Sequence, residues 1–108
     1  MAKTITFTYE DKDYTLEYTR RSVREMEREG FNMNDLQNKP MTTIPQLFAG
    51  AFKAHHKYMK ADDIERIYAL FGNKEMLFEK LSDMYIDTLS SLFDDGEEGK
   101  NVEWKASF

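Results

Sequence analysis

Residues 73 to 95, NKEMLFEKLSDMYIDTLSSLFDD, put more apolar surface on one helix than a small domain ordinarily needs. At about 100° per residue, Leu77, Leu81, Met84, Tyr85, Thr88 and Leu92 share one face, and Glu79, Lys80, Asp83, Asp87 and Ser90 lie opposite. A second row, Phe78, Ser82, Ile86, Leu89 and Phe93, is displaced by one residue and widens the apolar arc to roughly 180–200°, where docking on the parent domain takes little more than about 100°. Such a helix needs two partners, both within its own fold or one of them on another chain. The second row is open to two readings: burial beneath the rest of the chain, or a protein interface anchored by Phe78, Ile86, Leu89 and Phe93.

The rest of the chain supplies a small set of elements to cover that helix. Residues 4–9 (TITFTY) and 14–18 (YTLEY) alternate apolar and polar positions, and the connector Glu10 to Asp13 is short and polar, which predicts a β-hairpin. An isolated hairpin is marginal in water, so Phe7, Leu16 and Tyr18 are expected in the core against helices. Thr19 to Glu29 predicts a helix capped by Thr19, stopped by a left-handed Gly30, and laid against the hairpin with only Val23 and Met26 inward. Thr43-Ile44-Pro45-Gln46 reads as the start of a central helix, with Thr43 as cap and Pro45 in its first turn, ending near His55 to Tyr58. The small residues Ala49, Gly50, Ala51 and Ala54 would let another element approach it closely. A further helix over about 60–71 points Ile64, Ile67, Tyr68 and Phe71 inward, with Gly72 stopping it and Asn73 capping the next. That tight junction predicts antiparallel neighbours.

The expected fold is therefore α+β: an N-terminal β-hairpin packed on a bundle of about four α-helices, residues 1–95, followed by a flexible polar C-terminal tail, residues 96–108. Val102, Trp104 and Ala106 alternate, so that tail could also add a short strand to the hairpin edge, and Trp104 is a candidate docking residue. One domain suits 108 residues, and 41% hydrophobic content with 14% aromatics is enough to bury a core.

Several chemistries find no support. No apolar run approaches the roughly 18 residues that cross a bilayer, and MAKTITFTYEDK has no secretion-signal core, so a cytoplasmic location is expected. The absence of cysteine excludes disulfides and thiolate chemistry. His55 and His56 are adjacent, about 100° apart on a helix, and cannot jointly ligate a metal as an i, i+4 pair would. The carboxylates Asp62, Asp63, Glu65, Asp83 and Asp87 fall on solvated faces, and no phosphate loop, nucleophile elbow or calcium loop is present. We expect no enzyme activity and no cofactor. The net charge of −5 argues against general affinity for a nucleic-acid backbone. Residues 19 to 59 nevertheless carry a local +3, and Arg20, Arg24 and Arg28 recur at i, i+4, i+8, interleaved with Glu25, Glu27 and Glu29. A small nucleic-acid-binding regulator using that helix face is the alternative reading.

The order ITFTYEDKDYTLEYT, REMEREG, IPQLFAGAFKAHHKYMKADDIERIYALFG and a last long helix before a polar tail resembles the tail assembly chaperones of long-tailed bacteriophages, over roughly residues 3 to 95. The resemblance lies in hydrophobic spacing and element order. It implies a non-catalytic, helical protein of virion morphogenesis in the host cytoplasm. Such proteins self-associate as oligomers and hold the tape measure protein while tail tube subunits assemble around it. The implied partners are tape measure protein and major tail tube protein, through protein–protein interaction. The candidate interface residues, Phe78, Ile86, Leu89, Phe93 and Trp104, come from the residue pattern and not from the resemblance.

Overall fold

The computed structural model describes residues 3–94 and 102–108. It is an α+β fold, an antiparallel hairpin of β1 (Ile5–Tyr9) and β2 (Lys12–Leu16) followed by α1 (Arg20–Arg28), α2 (Pro40–Gly50), α3 (Ala61–Leu70) and α4 (Lys74–Ser90). A 3₁₀ turn, Met33–Leu36, joins α1 to α2, and another, Ser91–Phe93, closes α4. The expected boundary between domain and tail, at residue 95, lies outside the described residues.

The hairpin turn is tighter than its polar connector predicts. Tyr9 pairs with Lys12, which leaves only Glu10 and Asp11 to reverse the chain, and both take positive φ, 50° and 63°. A two-residue turn of that hand matches strand twist, but a side chain pays a steric cost there that glycine escapes. Replacing Glu10-Asp11 by Asn-Gly is expected to raise stability by about 0.5–1 kcal/mol, measured as a higher urea midpoint with unchanged slope.

Tyr14, Leu16 and Tyr18 form the buried face of the hairpin arm, and Leu16 is completely enclosed. Phe7 stacks on Tyr14 at 5.1 Å between ring centres and meets Phe71 edge-on at 4.9 Å. Phe48 and Phe52 sit at the centre, with Tyr68 and Phe71 closing on Phe48 from the α3 side. Beyond Leu16 the chain stays tied to the helices. The Glu17 amide donates to the Ala51 carbonyl, the Tyr18 hydroxyl donates to the Leu47 carbonyl at 2.6 Å, and the Thr88 hydroxyl donates to the Tyr18 carbonyl. Burial, with the Tyr85 hydroxyl adding to it, pushes the Tyr18 phenol well above its ordinary value, so it stays a donor.

Thr19 caps α1 through a reciprocal box with Ser22, and Gly30 ends that helix with φ +95°. Its inward face, Ser22, Val23 and Met26, packs chiefly on α2 and α4, where its place after the strands had suggested the hairpin. Gly50 makes that packing possible, because a Cβ there would overlap the Met26 thioether. The close approach expected of the small residues is thus realised at Gly50.

Three local expectations are corrected. The central helix begins at Pro40, whose missing N–H costs nothing at the first position, so Pro45 lies inside the helix and Thr43 is a buried residue within it, not its cap. That helix ends at Gly50, and His55 to Tyr58 lie in turns beyond it. α3 packs chiefly on α2, and α4 chiefly on α1 and α2, so the short link between α3 and α4 does not make them the principal neighbours that an antiparallel pair would be. The link itself is extended at Phe71, and its left-handed residue is Asn73 (φ 49°), not Gly72. Asn73 is the cap of α4 as expected, its side chain accepting the Met76 amide at 3.3 Å.

Candidate functional site

The inward row of α4 is Leu77, Leu81, Met84 and Tyr85, each buried. Tyr85 meets Tyr18 and Phe31 edge-on at 5.5 and 5.4 Å, and these rings fix the rotation of the helix. The neighbouring row divides along its length. Phe78 is half-buried at the margin of the core, and the Ser82 hydroxyl is buried without a hydrogen-bond partner. Further along, Ile86 is 55% exposed, Leu89 37% and Phe93 90%. At i, i+3 and i+7 these three lie on successive turns of one face. Leu92, expected in the inward row, is 64% exposed and extends the same strip. The reason is the tightening of the chain into a 3₁₀ turn after Ser90, which rotates residues 91 to 93 by about 120° each and carries Leu92 off the α-helical projection. Of the candidate residues, the structure therefore brings Ile86, Leu89 and Phe93 together with Leu92. It leaves Phe78 against the core and Trp104 exposed in the C-terminal segment, outside the core cluster.

The strip ends at a fixed point. Arg20 at the start of α1 donates from Nε to Ser91 Oγ at 3.0 Å and from a terminal guanidinium nitrogen to the Ser91 carbonyl, which also accepts the Asp94 amide. Lys3 and Asp87 form a longer ion pair, 3.8 Å, on the same side. The arginine row expected on α1 is thus divided. Arg20 is engaged with α4, Arg21 pairs with Glu25 at 3.9 Å, and Arg24 and Arg28 are exposed.

The two histidines take separate partners. His55 Nε2 lies 2.7 Å from Glu17 Oε1. His56 Nε2 accepts the Thr15 amide at 3.1 Å, which occupies one outward N–H of β2 and requires that nitrogen to be unprotonated. Burial first, then the charges of His55 and Lys12, hold the His56 imidazole below its ordinary value of 6.5. A group whose folded value is depressed stabilises fully above its unfolded value and loses that contribution as pH falls through the folded one. Stability is expected to decline below about pH 6.5, and His56→Gln, which keeps an acceptor for Thr15 but does not titrate, should flatten that part of a urea-midpoint against pH curve.

Two other hollows flank α3. Pro45, Phe48, Ala49, Ile64 and Tyr68 line an apolar groove of about 430 Å³ between α2 and α3. Lys12, His55, His56, Lys57 and Lys60 line a more polar one beside the hairpin turn, with Asp63, itself paired to Arg66, at its rim. Among the described residues no helix is long and apolar enough to cross a membrane.

No curated protein and no solved structure matches the chain. One family model does, that of a domain of unknown function (DUF5055), over residues 1–108.

Proposed function

For a chain that belongs to the DUF5055 family across residues 1–108, we propose the role of a non-catalytic tail assembly chaperone of the long-tailed bacteriophage kind. It works in the host cytoplasm, covering an apolar helical face of the tape measure protein until major tail tube protein displaces it. The observation that carries this reading is the strip Ile86, Leu89, Leu92 and Phe93, apolar anchors held out to solvent by a helix whose neighbouring row is locked in the core. Rigid aliphatic and aromatic anchors along one face are what a helix-on-helix contact uses. The resemblance in element order supplies the identity of the client.

A nucleic-acid regulator would need the arginine face of α1. Arg20 is spent on Ser91 and the chain is acidic, which disfavours that use. Co-expression with tape measure protein and with tube protein is the test. Salt-resistant co-purification with either supports the chaperone. A salt-sensitive DNA shift, lost on Arg20→Ala with Arg24→Ala and without capture of either protein, overturns it.

A further inference from the structure

The hairpin is one strand short. Thr15 gives its amide to His56 and Glu17 gives its own to Ala51, so the odd-numbered residues of β2 face away from β1. In an antiparallel ladder their partners do the same. Thr6, opposite Thr15, and Thr8, opposite Asp13, therefore turn their amide and carbonyl groups outward from the far edge of β1. Among the described residues nothing pairs with those groups, whereas on the other edge His56 takes the Thr15 amide and Ala51 the Glu17 amide just beyond β2. Burial tells the same story: on the inner face Tyr14 and Leu16 of β2 are enclosed, while Ile5, Phe7 and Tyr9 of β1 are only half-buried. Phe71 meets Phe7 edge-on, and Leu70, next to it in the chain, is exposed.

The same chain carries a segment with the complementary pattern. Residues 102–108, VEWKASF, alternate Val102, Trp104, Ala106 and Phe108 with Glu103, Lys105 and Ser107, have no regular structure, and expose Val102, Trp104 and Phe108 almost fully. Laid beside β1, the apolar set would share a face with Ile5, Phe7 and Tyr9, and Glu103 and Lys105 would lie with the threonines. Eight Cα steps separate Asp94 from Val102, a span of at most about 26–29 Å. In the single chain residues 102–108 form no strand and the described sheet holds only β1 and β2, so the segment and the edge are both open to a second copy.

We infer that two copies of this chain associate by strand exchange, residues 102–108 of each adding to the free β1 edge of the other. The exchange uses a surface separate from the α4 strip and goes beyond the chaperone reading, because it holds whether or not that strip takes a client.

Sedimentation of the full chain over about 1 μM to 1 mM, with amide exchange at Thr6 and Thr8, tests it. Dimers whose formation slows exchange at both amides are expected. Thr6→Pro removes an outward N–H that the hairpin ladder does not use, and Trp104→Asp alters only an exposed segment; each should weaken association at least about tenfold. Mixing the two variants should restore a weaker heterodimer, in which the intact tail of one meets the intact edge of the other. A monomer throughout the range overturns the inference, as does a monomer with both amides protected, which would mean docking within one chain. So does a dimer that Leu89→Asp with Phe93→Asp dissolves and Thr6→Pro does not. Loss of client capture by that α4 pair with the dimer intact leaves this inference standing and bears on the chaperone role alone.

Discussion

Aspartate at both Leu89 and Phe93 is expected to abolish capture of the tape measure protein while leaving the domain folded. Each apolar anchor at the centre of an interface contributes on the order of 1–2 kcal/mol or more, and a buried aspartate adds a desolvation cost, so affinity should fall by roughly 100-fold or more. The fold has little to lose. Phe93 is 90% exposed and Leu89 37%, and α4 is held through Leu77, Leu81, Met84 and Tyr85 instead. Far-UV circular dichroism should be unchanged and the unfolding free energy within about 1 kcal/mol of wild type. Retained capture would remove the strip from the mechanism, and an unfolded variant would make it core after all.

The largest stability effect is expected at Phe48→Ala. Phe48 is 1% exposed and its ring centre lies 5.1 Å from those of Phe52 and Tyr68 and 5.5 Å from that of Phe71. Its removal opens a cavity where the central helix, α3 and the segment carrying Phe52 meet, and none of those rings can move in without leaving its other neighbours. A loss of about 3–5 kcal/mol is expected, from a domain whose total is on the order of 5–15 kcal/mol. Urea unfolding should show a large drop in midpoint, whereas Leu92→Ala, at an exposed position, should stay within about 0.5 kcal/mol.

The elements that could be read from the sequence are those that local chemistry determines. Alternation gave the hairpin, Thr19 and Gly30 bracketed α1, and Asn73 marked the start of α4. What could not be read depends on competition between local signals or on tertiary partners. Pro40 and Pro45 both suit a first turn, and nothing near them says that the earlier one prevails; only the folded chain shows the helix starting at Pro40 with Thr43 buried inside it. The association of α1 with α2 and α4 rests on Met26 fitting over Gly50, a contact 24 residues apart in sequence. The α4 projection identified the inward row except at Leu92, where the helix tightens and a fixed 100° step no longer applies. Arg20 read as part of a basic face, and only the folded chain shows its guanidinium reaching Ser91, 71 residues away.

That link between Arg20 and Ser91 has a thermodynamic consequence for any binder. Helix ends ordinarily fray, and a ligand that docks on a fraying turn must first supply the entropy of ordering it. Here the terminal turn that carries Leu92 and Phe93 is already clamped to the beginning of α1 by a charged side chain. Whatever meets those two residues finds them in position, so more of the contact energy survives as affinity.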